Sequence, residues 1–145
     1  MDFREIKISD IETLTIIYVD TFNSPPWNDK WTVETASKRL KQMINCEDFY
    51  GILAYENDLI YGMILGSEEQ FYNGAIFNIK EFCVKNEMRS KGLGTIILNE
   101  FEKRLKEKGI SEIILLTSKE DKTEGFYHRR GLKSHEKMVL MCKKL

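Results

Sequence analysis

Six consecutive residues, Arg89-Ser90-Lys91-Gly92-Leu93-Gly94, bring together two cations, a hydroxyl and two glycines. That set suits an oxygen-rich anion. Glycine removes the Cβ that would hold a ligand off the backbone. Arg89 and Lys91 add positive charge, while Ser90 and Thr95 add hydroxyl donors. If a helix starts here, its first turn also presents unpaired N–H groups and about half a positive charge. Phosphate or pyrophosphate is the natural guest. Glycine pairs alone carry little weight, since one G-x-G arises by chance about 0.7 times in a chain of this length. A dinucleotide fingerprint would need glycine at 97, where Ile97 stands, and no Gly-Lys-Ser/Thr phosphate loop occurs.

The second chemical feature is Glu81. Phe77, Ile79, Glu81 and Cys83 alternate along a β-rich run, which predicts that all four share one face. A carboxylate among apolar neighbours has a raised pKa and is a better base. The competing register leaves Glu81 in solvent, with Lys80 within the strand's reach. Cys83 reads as a packed strand cysteine rather than a nucleophile. His128 and His135 lack the partners of a triad, and no Cys/His spacing suggests a metal, so none is expected.

The elements that must position these groups follow from periodicity. Phe3–Ile8 alternates apolar and charged residues and predicts a strand. Ser9 with Glu12 has capping-box spacing for a helix carrying Ile11, Leu14 and Ile17 inward. Both prolines and both tryptophans lie in Phe22–Trp31. Thr32 is the expected N-cap of a second helix with Ala36, Leu40, Met43 and Ile44 on its core face. A hairpin around Glu56-Asn57-Asp58 precedes a strand over Ala75–Val84. A helix from about Gly92 to Lys108 presents Leu93, Ile97, Phe101 and Leu105 at four-residue spacing, with Gly109 as its C-cap. Ser111–Ser118 predicts a buried strand, Thr123–Arg130 a short helix, and Glu136–Lys144 a last strand. Glu68 and Glu69 could attract a cationic amine, with a solvated loop as the default reading.

The chain of 145 residues has a net charge of −1, with 22 basic and 23 acidic residues. One domain spanning residues 1–145 is expected, and broad attraction to nucleic acid or membrane is not. An anion site must then be local. Three cysteines with no C-x-x-C suit a reducing, cytoplasmic setting. The charged N-terminus does not read as a signal peptide, and no run of eighteen apolar residues suggests a membrane span.

Taken together, the pattern resembles the GCN5-related N-acetyltransferase (GNAT) family. Its signature [QR]-x-x-G-x-[GA], between a strand ending in Val and a long helix, is met by Val84 and Arg89–Gly94. Gly125–Leu132 (GFYHRRGL) is similar to the family's F-Y-x-x-x-G-F, with Leu132 replacing the last Phe. The resemblance covers essentially the whole chain and is most specific over Val84–Gly131. It implies an α/β (α+β) fold, with a mixed, mostly antiparallel sheet of about six to seven strands and about four flanking helices, splayed at the acetyl-CoA site.

It further implies acetyl-CoA as donor and CoA as product. The pyrophosphate would lie on backbone N–H groups of Arg89, Ser90, Lys91, Gly92, Leu93, Gly94 and Thr95. The pantetheine arm would pair with Phe82, Cys83 and Val84. Tyr127 matches the tyrosine that protonates the departing thiolate, and Glu81 sits where many members place a substrate-facing residue. The family's pantetheine-binding Asn falls at Glu120, leaving Asp121, Ser118 or no group to replace it. Trp27, Trp31, Phe71 and Tyr72 are the expected acceptor-pocket residues, and the acceptor a primary amine of a small molecule or a peptide. The alternative is a non-catalytic acyl-CoA-binding module on the same fold. Either a monomer or a homodimer fits.

Overall fold

Neighbouring residues along the central strands enter different cores, and this builds the architecture. The computed structural model describes all residues, Met1–Leu145. In β2 (Phe49–Glu56) Leu53 enters one apolar cluster while Ile52 and Ala54 enter another. In β3 (Leu59–Phe71) Met63 and Leu65 enter the first and Ile64 the second. The strands are therefore apolar on both faces and need a layer of helix on each.

On one face lie α1 (Ile11–Phe22) and α2 (Val33–Ile44), contributing Leu14, Ile17, Tyr18, Ala36 and Leu40. On the other lies α3 (Leu93–Glu107), whose Leu93, Ile97, Phe101 and Leu105 are buried as their spacing predicts, together with Leu98. Each fully buried large apolar side chain contributes about 1.5–3 kcal/mol. The sheet order is β1-β2-β3-β4-β5, with β1 (Asp2–Glu5), β4 (Gly74–Val84) and β5 (Glu112–Leu115). All pairs are antiparallel except β4 with β5. A short α4 (Glu124–His128) follows β5.

Most expected elements form, with local differences. The first strand stops at Glu5 because the chain turns in a 3-10 helix over Ile8–Asp10. Asp10, rather than Ser9, anchors that turn: its carboxylate accepts from the Lys7 N–H at 2.8 Å and from the Arg4 guanidinium at 2.7 and 2.8 Å. Thr32 caps α2 as expected, accepting the Thr35 N–H. Glu68 and Glu69 belong to β3 rather than to a loop. The strand β5 is shorter than expected and is not fully buried, because it is the sheet's edge: Ile114 is 37% and Leu116 76% exposed. Glu136–Lys144 joins no strand, so the sheet has five.

The most consequential difference lies in β4. Leu65 pairs with Glu81, but the next residue, Gly66, pairs with Ile79, so Lys80 is an extra residue without a partner. Such a bulge exchanges the faces of everything beyond it. Phe77 and Ile79 consequently pack toward α3, while Cys83 packs toward α1 and α2 and Glu81 meets Tyr18 and Arg39 there. The single shared face predicted for Phe77, Ile79, Glu81 and Cys83 is therefore corrected, although Glu81 is buried as predicted, at 7% exposure.

Gly66 permits the bulge, since a Cβ there would lie 2.0 Å from the Asn78 carbonyl oxygen. That neighbour is backbone and cannot turn aside. Substituting Gly66→Ala is expected to destabilise the fold by about 3 kcal/mol, read as a lower midpoint in urea unfolding. An unchanged midpoint would show that the bulge tolerates a side chain.

Candidate active site

Parallel pairing of β4 with β5 covers only Ile76–Ile79 against Glu112–Leu115. Beyond Ile79 the two strands part, and a cleft of about 740 Å³ opens between them. Its walls include Glu81–Val84 of β4, Leu115 at the end of β5 with Leu116, Thr117 and Ser118 after it, the glycine-containing segment and α4. Lys85 donates its N–H to the Tyr61 carbonyl of β3. By the alternation of an antiparallel strand, the polar backbone groups of Phe82 and Val84 then face the other way, into the gap. They form an open β-edge inside the molecule, the kind of surface an extended chain can join.

The glycine-containing segment closes one end of this cleft. Ser90 and Gly92 adopt left-handed conformations, with φ of 60° and 81°, which turn successive N–H groups toward one side. The N–H groups of Ser90, Lys91, Gly92, Leu93 and Gly94 have no protein acceptor. Gly92 is needed for its backbone angle, since open space surrounds its missing Cβ. Gly94 is needed for space: a Cβ there would lie 3.3 Å from the Phe126 ring.

Two of the expected anion-binding residues prove to be occupied. The Arg89 N–H bonds the Asn86 carbonyl at 3.3 Å. Its guanidinium turns toward the loop after α1, donating to the Thr21 and Pro25 carbonyls at 3.0 and 2.6 Å and lying 5.0 Å from the Trp27 ring centre. Arg89 thus fastens that loop to the glycine segment. The Thr95 N–H is likewise used, by Gly92 at 3.0 Å. The Thr95 hydroxyl accepts from Arg130, whose guanidinium stacks 3.7 Å from the Phe126 ring centre. Asn86 reinforces the fastening by donating to Asp20 and Ser24.

The acid–base groups converge from both sides of the cleft. The Glu81 Oε1 accepts from the Tyr18 hydroxyl at 3.1 Å and from Arg39 Nε at 2.6 Å, while Oε2 makes no hydrogen bond to the protein. Burial is the main influence on this carboxyl and pushes its pKa above the ordinary glutamate value, with Arg39 pulling it back. Tyr127 lines the opposite wall, on α4. Burial, followed by the Glu81 charge, pushes its pKa up to about 12, so it stays protonated at neutral pH. Cys83, buried and near Glu81, is pushed up to about 12 for the same two reasons. It remains a thiol, as its reading as a packed residue requires.

Of the expected acceptor residues, Trp27 lines the cleft. Trp31 lies behind it, packed edge-on against Tyr18 at 5.1 Å and donating to Asp29. Phe71 and Tyr72 occupy the β3–β4 hairpin tip, at the opposite end of β4 from Val84, and do not reach the cleft. Ser118 lines the cleft but spends its hydroxyl on Thr123, helping to start α4. Phe82 packs edge-on against Phe126 at 5.9 Å. The residues missed in the sequence are Tyr18 and Arg39. Arg39 lay on a helix face that reads as solvated, and nothing in its spacing marked it. The cleft is lined by Lys80, Arg89, Lys122, Arg129 and Arg130 against one carboxylate, Glu81; even with Arg129 paired to Asp121 the balance is positive, which supplies the local field that the nearly neutral chain requires.

Comparison with known proteins agrees with this fold. The family model described as an acetyltransferase (GNAT) domain matches residues 16–140. An N-acetyltransferase of Chlorobaculum tepidum, described as uncharacterized, is 34% identical over 67 residues, covering 46% of this chain and 41% of that relative's length. A GNAT family acetyltransferase from Staphylococcus aureus superimposes with a TM-score of 0.74 at 23% identity, covering 99% of this chain and 98% of its own. An aminoglycoside acetyltransferase from an uncultured soil metagenomic sample superimposes with a TM-score of 0.72 at 17% identity, covering 99% and 95%. At such identities the two structures share the fold.

Thiol reactivity tests the placement of β4. Cys46 and Cys142 are exposed and Cys83 is buried. An aromatic disulfide reagent is expected to label two thiols promptly in the native protein and the third only after unfolding. Prompt reaction of all three would contradict the packed position of Cys83.

Proposed function

The chain belongs to the GNAT acetyltransferase family, and on that premise we propose that it is an acetyl-CoA-dependent N-acetyltransferase acting on a primary amine of a small molecule. The carrying observation is that the unpaired stretch of β4, the glycine segment with its free N–H groups (through Ser90, Gly92 and Gly94), Glu81 and Tyr127 all line one cleft. These residues fit the donor part by part. The N–H groups of Ser90–Gly94 suit the pyrophosphate, and the exposed backbone of Phe82 and Val84 suits an amide-bearing arm. Lys122, which lines the cleft, and Lys91 beside it add charge for the remaining phosphate, while Arg129 is paired with Asp121. Arg89 acts from behind, by holding the loop in place.

Bound acetyl-CoA supplies an acetyl group already activated as a thioester. The acceptor amine enters from the side of Trp27 and Glu81. Glu81 Oε2 takes the proton that the amine must lose as its nitrogen bonds the carbonyl carbon. An N–H of Phe82 or Val84 polarises the carbonyl oxygen. As the carbon–sulfur bond breaks, the electron pair stays on sulfur, and the Tyr127 hydroxyl gives it a proton. Tyr18 and Arg39 hold the Glu81 carboxylate through Oε1, which leaves Oε2 to the acceptor.

Acetyl-CoA is expected to bind in calorimetry, and failure to bind would remove the reading altogether. Glu81→Gln and Tyr127→Phe should each lower kcat by about a hundredfold while leaving acetyl-CoA affinity intact. Unchanged turnover in both would favour a non-catalytic binding module. Because Glu81 must be deprotonated to act and its pKa is raised, kcat/KM should rise with pH through a limb above the ordinary glutamate range. Glu81→Gln should abolish that limb.

A further inference from the structure

At the cleft wall, Glu81 is in contact with a cation that stands just outside the lining, the half-exposed Arg39. Arg39 uses only Nε on Glu81, and neither Nη makes a hydrogen bond to the protein. Its side chain is 43% exposed, its guanidinium lies 5.9 Å from the Trp31 ring centre, and Glu81, itself bonded by Tyr18, fixes its Nε. A planar guanidinium held this way offers a free fork of donors that matches a carboxylate. Beside it, Glu81 Oε2 is free to meet an amine. Asp29, the other acidic group bearing on Glu81, accepts the Trp31 indole N–H.

We propose that the acceptor amine carries a carboxylate close to its nitrogen, as an α-amino acid does, with the amine on Glu81 Oε2 and the carboxylate on the Nη groups of Arg39. The inference rests on the acetyltransferase reading and narrows it. In an α-amino acid, a single carbon separates the amine from the carboxylate, and here the free Nη groups and the free Oε2 belong to side chains joined directly by one 2.6 Å hydrogen bond between Nε and Oε1. A polycation is matched poorly, because Arg39 offsets the one carboxylate the cleft offers. Arg39 is thus a specificity residue as well as the holder of Glu81, and it binds a part of the acceptor that does not react.

Matched pairs test this with the full chain. CoA release is measured for leucine against isopentylamine, phenylalanine against phenethylamine, and lysine against cadaverine, with spermidine and an aminoglycoside as polycations. At least one amino acid should exceed its decarboxylated partner in kcat/KM by about tenfold or more, the worth of a charge-assisted hydrogen-bond pair. Arg39→Gln should erase that preference, and Arg39→Lys should keep part of it. Should Arg39→Gln fail to fold, the wild-type pairs and Arg39→Lys decide.

The inference is overturned if each decarboxylated amine equals or exceeds its partner. It is equally overturned if no amino acid is acetylated, or if a folded Arg39→Gln retains the preference. Turnover of spermidine or the aminoglycoside in those cases leaves the acetyltransferase reading standing. Absence of acetyl-CoA binding removes both.

Discussion

Lys80 has no partner on β3, and its insertion lets one strand serve two cores. Up to Ile79, β4 is a sealed member of the sheet, paired on both sides and packed toward α3. After the inserted residue its faces exchange, pairing with β5 ends, and a carboxylate arrives among the side chains of α1 and α2. The two consequences arise at one place for a geometric reason. A bulge increases local twist, and parallel strands that twist differently cannot remain in register. Gly66 makes this possible by letting the two backbones come closer than any side chain would permit. The cleft is therefore a property of strand geometry first and of its lining residues second.

Electrostatics at the cleft follows a similar economy. The chain as a whole is almost neutral, so attraction for an anion comes from oriented backbone groups and a few nearby cations. Backbone N–H groups carry partial charges fixed in direction and need no reorganisation when a ligand arrives. Glu81 is the exception within this positive surround. Burial favours its neutral form, and Arg39 and Tyr18 oppose that tendency through the same oxygen. Leaving one oxygen tied and the other free separates the task of holding the group from the task of using it.

Sequence reading recovered what depends on local pattern. The four-residue spacing of Leu93, Ile97, Phe101 and Leu105, the cap at Thr32 and the strand–glycine–helix order all express short-range sterics and periodicity. It failed where two distant segments decide the outcome. The bulge arises from Gly66 meeting Asn78 and Ile79 across strands, and neither side announces it alone. Arg89 looked like a phosphate ligand because charge beside glycine suggests one, yet its length carries it to the loop after α1. Arg39 carried no signal, since an arginine on a polar helix face is ordinary until its neighbour across the core is known. Phe71 and Tyr72 were placed near the acceptor by analogy, and the length of β4 puts them at the other end of the sheet.

Arg89 holds the end of α1 and the loop that follows it through two backbone carbonyl oxygens, those of Thr21 and Pro25. Every residue type carries such an oxygen. The fastening therefore constrains the path of the loop and leaves the identity of most of its side chains free. Side chains of the loop that touch neither Arg89 nor Asn86 can be exchanged for others while the donor-binding segment keeps its shape. A lineage built on this fastening can explore new acceptors by changing the loop's side chains, without reinventing the means of carrying the acetyl group.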